Sequence, residues 1–165
     1  MSGEHASRLH PLVRFLATGA YLGYSPIAPG TAGAFGCAVL LWFVLPEVTP
    51  TAPPLAVLSV LVSVVAFVCL SIWAAAAAEP CFGKDSGRIV IDEFAGMVIT
   101  LILLPKSLFV FGAGFLLFRV LDIVKPFPAG RAESLPGGWG VVMDDVVAGI
   151  YANVLLRLML LVRGG

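Results

Sequence analysis

The chain has 165 residues, 59% of them hydrophobic and 12% charged, where an ordinary soluble domain is about 45–50% apolar and about 25% charged. With a mean hydropathy of +1.01, this composition excludes a disordered chain, a basic nucleic-acid binder and a secreted disulfide scaffold. Ten Lys and Arg balance ten Asp and Glu, so net charge names no partner and the placement of the charges carries the information.

The length fits one domain, spanning 1–165. The opening MSGEHASRLHPLVRF has no long apolar run before a cleavage site, so no signal peptide is expected. Cys37, Cys69 and Cys81 form no CxxC pair and an odd count, which favours neither a zinc site nor a disulfide framework. The first polar segment is SPIAPGTAG, Ser25–Gly33, a proline–glycine turn leading into a helix. Thr31 suits an N-cap there, and backbone N–H groups at such a helix start also hold anions such as phosphate.

An apolar helix is expected from Gly33 to Leu45, ended by Pro46. The strongest membrane span is Pro54–Ala78, which carries no charge across a length that exceeds the roughly 20 residues needed. Next comes DSGRIVIDE, where Asp85 and Asp92 can share one helix face. Asp92 and Glu93 then open an apolar helix, and acids there complement the helix dipole. That effect accounts for one carboxylate better than for three.

A third apolar segment begins near Phe94 and is interrupted at Leu104-Pro105-Lys106; a fourth covers Ser107 to Val124. The stretch from Phe94 to Leu104 reaches only about 16 Å. One span kinked at Pro105 is the alternative, but Lys106 at mid-membrane is costly, and a helical hairpin turning at Pro-Lys-Ser is preferred. In Arg119-Val-Leu-Asp122-Ile-Val-Lys125 the three charged groups recur every third residue, which also suits a plain ion pair within a helix. Pro126 and Pro128 then turn the chain. GGWGVVMDD, from Gly137 to Asp145, reads as a glycine-rich loop with two carboxylates capping a last helix from about Val146 to Val162. Arg157 lies inside that helix.

The hairpin topology makes a pattern. Glu79, Asp85, Asp92, Glu93, Asp122, Glu133, Asp144 and Asp145, eight of the ten acids, fall on one face, with most of the Lys and Arg. By the positive-inside rule that face is cytoplasmic. The fold class expected is an all-α integral membrane protein. It is a compact bundle of about four to five transmembrane or partly crossing helices, with polar loops and helix ends gathered on the cytoplasmic face. Six carboxylates (Asp85, Asp92, Glu93, Asp122, Asp144 and Asp145) would repel one another without a cation. Oxygen ligands favour Mg²⁺, which recruits phosphate, and Arg119, Lys125 and Arg88 remain to bind phosphate oxygens. This inventory points to metal-assisted phosphoryl chemistry. His5 and His10 lie outside the motifs, and Cys81 is wrongly spaced from Arg88 for a cysteine phosphatase.

Together these segments resemble the phosphatidylglycerophosphatase A family. The match is carried by ATG at Ala17–Gly19, SPIAPGTAG at Ser25–Gly33, IVIDEFAGM at Ile89–Met97, FRVLDIVKPFP at Phe118–Pro128 and GGWGVVMDDVVAG at Gly137–Gly149. The resemblance implies a Mg²⁺-dependent, multi-pass enzyme of the bacterial inner membrane that acts in phospholipid biosynthesis. Its substrate would be the membrane lipid phosphatidylglycerophosphate, hydrolysed to phosphatidylglycerol and inorganic phosphate, with no nucleic-acid partner. Carried over by motif, Asp92, Glu93, Asp122, Asp144 and Asp145 are metal and catalytic carboxylates, and Asp85 matches a preceding acidic position. Lys125 and Arg119 are phosphate contacts, and Thr31 is the polar residue of the proline–glycine loop. Ser86 stands where a His is common, Ala34 where a Ser is, Tyr21 where a Gly is, and Glu133 where an Asp is expected. None of these removes a core carboxylate. Two other readings are a small transporter or ion pathway using the carboxylates, and a membrane scaffold that would tolerate their neutralisation.

Overall fold

Prolines and short polar turns cut the apolar chain into helices. The computed structural model describes residues 9–46, 52–83 and 86–164, which leaves Asp85 outside the described residues. Helix α1, Pro11–Ala17, starts at a proline, with His10 Nδ1 accepting the Leu12 N–H at 3.3 Å. A 3₁₀ turn at Leu22–Tyr24 leads to α2, Pro29–Val44. Helix α3 is Pro54–Phe82, α4 is Ile91–Leu101 and α5 is Leu108–Val124. The short α6, Ala129–Ala132, precedes α7, Gly138–Val162. No strand occurs among the described residues.

The expected hairpin is present as α4 and α5. Ser107 caps α5, its Oγ accepting the Val110 N–H at 3.2 Å. Three boundaries differ from expectation. Helix α2 begins at Pro29, four residues before Gly33. Its N-cap is Ala28, in the left-handed region at φ 45°, so Thr31 sits inside the first turn and is not the cap. Helix α3 runs through Pro80 to Phe82, beyond Ala78. Helix α7 begins at Gly138, well before Val146. The glycines there are not a loop around a ligand. A Cβ on Gly138 would collide with the Ile72 carbonyl of α3, and one on Gly140 with the Leu135 carbonyl. They let α7 pack against backbone, so Asp144 and Asp145 lie about two turns inside the helix rather than before it. Helix α4 starts at Ile91 after a non-helical stretch, so no helix joins Asp92 back to the Asp85 region.

Helices α3 and α7 have 29 and 25 residues, about 43 and 37 Å, and are long and apolar enough to cross a membrane. Helix α4, with 11 residues, reaches about 16 Å and sits at the centre. One core joins Cys37 and Leu41 of α2, Met97 and Leu101 of α4, Phe118 of α5 and Leu156 of α7. A second joins Val13 of α1, Ile72 and Ala75 of α3, Ile91 and Ala95 of α4, and Val142 of α7.

A helix that stops short among apolar neighbours leaves carbonyls without partners. Here α7 supplies them. Asn153 Nδ2 lies 3.0–3.1 Å from the carbonyls of Ile99, Thr100 and Ile102. Arg157 donates from Nε to Asn153 Oδ1 at 2.8 Å and from Nη2 to the Leu103 carbonyl at 3.1 Å. At that end of the bundle Lys106 also stands over Trp42 and Arg163 over Phe109, 5.6 and 4.3 Å from the ring centroids. The carboxylates gather at the other end.

Candidate active site

Three helices deliver the acids. Asp92 and Glu93 occupy the first turn of α4, Asp122 the last turn of α5, and Asp144 and Asp145 the second turn of α7. Their depth is set by a close crossing one turn further along. A Cβ on Gly96 would strike the Phe118 ring and crowd the Asp145 carbonyl; one on Gly149 would press on the Gly96 carbonyl. Each glycine lies four residues after an aspartate, Gly96 after Asp92 and Gly149 after Asp145. The crossing therefore stacks the two aspartates side by side.

The result is two triads of carboxylates. Asp92, Glu93 and Asp145 bring one oxygen each within 4.8 Å of one another, and so do Asp122, Asp144 and Asp145. Asp144 and Asp145 are buried, 6% and 3% exposed. Two basic groups are tied in. Arg119 Nη1 lies 2.8 Å from Asp122 Oδ2 and 3.8 Å from Glu93 Oε1. Lys125 Nζ lies 2.8 Å from Asp144 Oδ2 and 3.0 Å from Glu133 Oε2. Partial burial alone would disfavour the Lys125 ammonium, but its hydrogen bonds to Asp144 and Glu133 outweigh this and hold its pKa above the ordinary lysine value. The lysine reaches them from the C-cap of α5, in a left-handed conformation at φ 48°.

Glu93 Oε2, Asp144 Oδ1 and Asp145 Oδ2 are buried and accept no hydrogen bond among the described residues. Buried carboxylate oxygens left unpaired are costly, and oxygen-only ligands at this density suit a hard divalent cation. The cluster therefore fits a metal ion.

Of the other sequence candidates, Thr31 is half-buried in the first turn of α2, and that turn meets the cluster through its neighbour Gly30, where a Cβ would collide with Glu93 Oε1. Arg88 is exposed, its guanidinium 5.8 Å from the centroid of the Tyr24 ring, and no contact described joins it to the carboxylates. Gly30, Gly96 and Gly149 were not singled out from sequence, and Glu133 was noted there only among the acids of one face and as a departure from the family's pattern, without its pairing to Lys125. The paired Asp-x-x-Ala-Gly-like spacing, DEFAG in α4 and DVVAG in α7, is the signal that marks the two crossing glycines.

The fold and the site together define an all-helical membrane protein with a buried, cation-ready carboxylate cluster at one end of its bundle. The family model described as Phosphatidylglycerophosphatase A matches residues 15–160, and the chain belongs to that family of phosphatases. A Bacteroides thetaiotaomicron protein provisionally named phosphatidylinositol-3-phosphatase is 42% identical over 144 residues, 86% of this chain and 89% of that protein. Phosphatidylglycerophosphatase A of Escherichia coli is 36% identical over 144 residues, 86% of this chain and 79% of that protein. Phosphatidylglycerophosphatase A of Haemophilus influenzae is 45% identical over 74 residues, 44% of this chain and 45% of that protein. No solved structure matches the chain.

Proposed function

We propose that this enzyme hydrolyses the terminal phosphomonoester of phosphatidylglycerophosphate to phosphatidylglycerol and inorganic phosphate, with Mg²⁺ as cofactor, at the cytoplasmic face of a bacterial inner membrane. The observation that carries the reading is the set of buried, unpartnered oxygens of Glu93, Asp144 and Asp145 beside Arg119 and Lys125. Acids alone would repel a phosphate, and bases alone would not hold a cation. The mixed cluster can do both.

Asp92, Glu93, Asp122, Asp144 and Asp145 would hold Mg²⁺, which supplies charge neutralisation on the phosphoryl oxygens. Arg119 presents a planar fork and Lys125 a point charge to the remaining oxygens. Helix α2 has no side-chain hydrogen bond at its N-cap, and its first turn meets Glu93 at Gly30, so the positive end of its dipole lies beside the same charge. In the reaction the oxygen of a water molecule bonds to phosphorus while the bond from phosphorus to the glycerol oxygen breaks. The water's proton passes through a cluster carboxylate to that glycerol oxygen, which leaves as a hydroxyl. Asp85 would take part from the segment before α4.

A second substrate reading has its own support, since the Bacteroides relative is named for a 3-phosphoinositide. The same cluster serves either phosphomonoester, and the leaving alcohol decides between them. The test is phosphate release by the detergent-solubilised chain from phosphatidylglycerophosphate and from phosphatidylinositol 3-phosphate, with and without EDTA. Preferential, EDTA-sensitive release from phosphatidylglycerophosphate is expected, abolished by Asp92→Asn and by Asp144→Asn. Full activity in both variants, or release that ignores EDTA, would overturn the reading.

A further inference from the structure

The two triads share one residue. Asp145 belongs to the set with Asp92 and Glu93 from α4 and to the set with Asp122 from α5 and its own neighbour Asp144. A carboxylate has two oxygens and can face two cations at once. Building on the metal-dependent reading above, we propose that the cluster is a two-cation site in which Asp145 is the bridging ligand, one cation resting on Asp92 and Glu93 and the other on Asp122 and Asp144.

Three features support this. The first is orientation. Asp145 is 3% exposed and its Oδ2 accepts no hydrogen bond among the described residues, although it is enclosed by other acids. Asp144 is 6% exposed; its Oδ2 is taken by Lys125 at 2.8 Å, while Oδ1 is left unpaired. Glu93 likewise has Oε1 toward Arg119 at 3.8 Å and Oε2 unpaired. Each triad thus keeps its own unpartnered, buried oxygen in addition to that of Asp145. The second is charge. The five carboxylates of the two triads and Glu133, which shares Lys125, stand against Arg119 and Lys125 and leave four negative charges. One divalent ion still leaves the site negative, and a second brings it to neutrality, so that a phosphate dianion is no longer repelled. The third is precedent in chemistry. A phosphoryl group is well served by two cations about 3.5–4 Å apart, one toward the attacking oxygen and one toward the leaving oxygen.

Mn²⁺ tests the proposal directly, because two Mn²⁺ ions sharing a carboxylate couple their spins. The full chain in detergent is titrated with Mn²⁺, with stoichiometry read by calorimetry and coupling by electron paramagnetic resonance. Two ions per chain are expected, with a coupled spectrum of about half the hyperfine spacing of an isolated ion. Asp92→Asn and Asp122→Asn should each reduce the count from two to one and leave an isolated-ion spectrum. Asp145→Asn should abolish the coupling. If that variant does not fold, the other two still decide. One ion in the unsubstituted chain, or two without coupling, overturns the bridge. Phosphate release from the lipids is measured on the same samples. Metal-dependent release with a single bound ion would leave the phosphatase reading standing without the bridge. A coupled pair without release from either lipid would keep the bridge and remove that reading. Absence of Mn²⁺ binding would overturn both the bridge and the metal dependence.

Discussion

Arg119 reaches two carboxylates on two helices from one guanidinium, Asp122 at 2.8 Å on its own helix and Glu93 at 3.8 Å on α4. A lysine there keeps the charge but loses the fork, and a single ammonium cannot span both partners in the same way. We expect Arg119→Lys to lower kcat/KM for phosphate release by at least about tenfold, which corresponds to about 1.4 kcal/mol of transition-state stabilisation. The number of metal ions bound should not change. Activity within about twofold of the unsubstituted enzyme would show that only the charge matters. The acids and bases of this cluster were readable as residue types in the sequence, because charge is so scarce in an apolar chain that each carboxylate on a helix end stands out. Their pairing was only half readable. The spacing of Arg119 and Asp122 marks a contact within α5, whereas Lys125 pairs with Asp144 and Glu133 across the fold, and nothing in the local pattern announces it. Arg88 illustrates the reverse. Its charge made it a phosphate candidate, and its guanidinium stands 5.8 Å from the centroid of the Tyr24 ring, with no ion pair to an acid among the described residues.

Helix α4 is the element on which the site depends, and both of its ends are held by α7. At the acidic end Gly96 and Gly149 let the two backbones close together. Among apolar helices such close approach comes from small residues, since lipid offers no hydrophobic drive for association. Adding a methyl group at a packed position costs about 1–3 kcal/mol when the neighbours cannot move. Gly149→Ala should therefore part α4 from α7, with loss of metal binding measured by calorimetry, while every carboxylate remains in the chain. Unchanged affinity would mean that the crossing does not position the cluster. At the other end Asn153 and Arg157 satisfy the last carbonyls of α4. Asn153→Leu removes those donors, and buried carbonyls left unmet cost about 1–3 kcal/mol. A lower thermal midpoint in detergent is expected, with the wild-type metal stoichiometry retained. The hairpin of α4 and α5 was legible because Pro105 and Lys106 are unwelcome in hydrocarbon. The early start of α7 was not legible. Glycines in a row signal a loop, whereas Gly138 and Gly140 lie inside the helix, packed against the backbone of α3 and of Leu135.

Across the whole molecule the cluster joins three helices that meet elsewhere through apolar contacts and, at the far end of α4, through Asn153 and Arg157, with the first turn of α2 closing over Glu93 at Gly30. Like charges at one end of the bundle push those helices apart, and a bound cation turns that repulsion into a tie. Two consequences of opposite sign follow for a single substitution. Asp92 belongs to the cluster without an ion pair to any base among the described residues, so Asp92→Asn removes one repelling charge and leaves no cation stranded. In EDTA the Asp92→Asn protein should unfold at a higher temperature than the unsubstituted protein. With Mg²⁺ in excess the order should reverse. A ligand at about one hundred times its dissociation constant stabilises the form that binds it by about 2.7 kcal/mol, and the variant forfeits much of that gain. The measurement is thermal unfolding of both proteins in the same detergent, with EDTA and across a Mg²⁺ titration, and the crossing of the two curves is the diagnostic. A scaffold whose carboxylates serve only solubility would show no metal-dependent shift in either protein. An Asp92→Asn protein less stable than the unsubstituted chain even in EDTA would mean that Asp92 holds the bundle together by contacts of its own and that repulsion between the acids is not what the cation relieves.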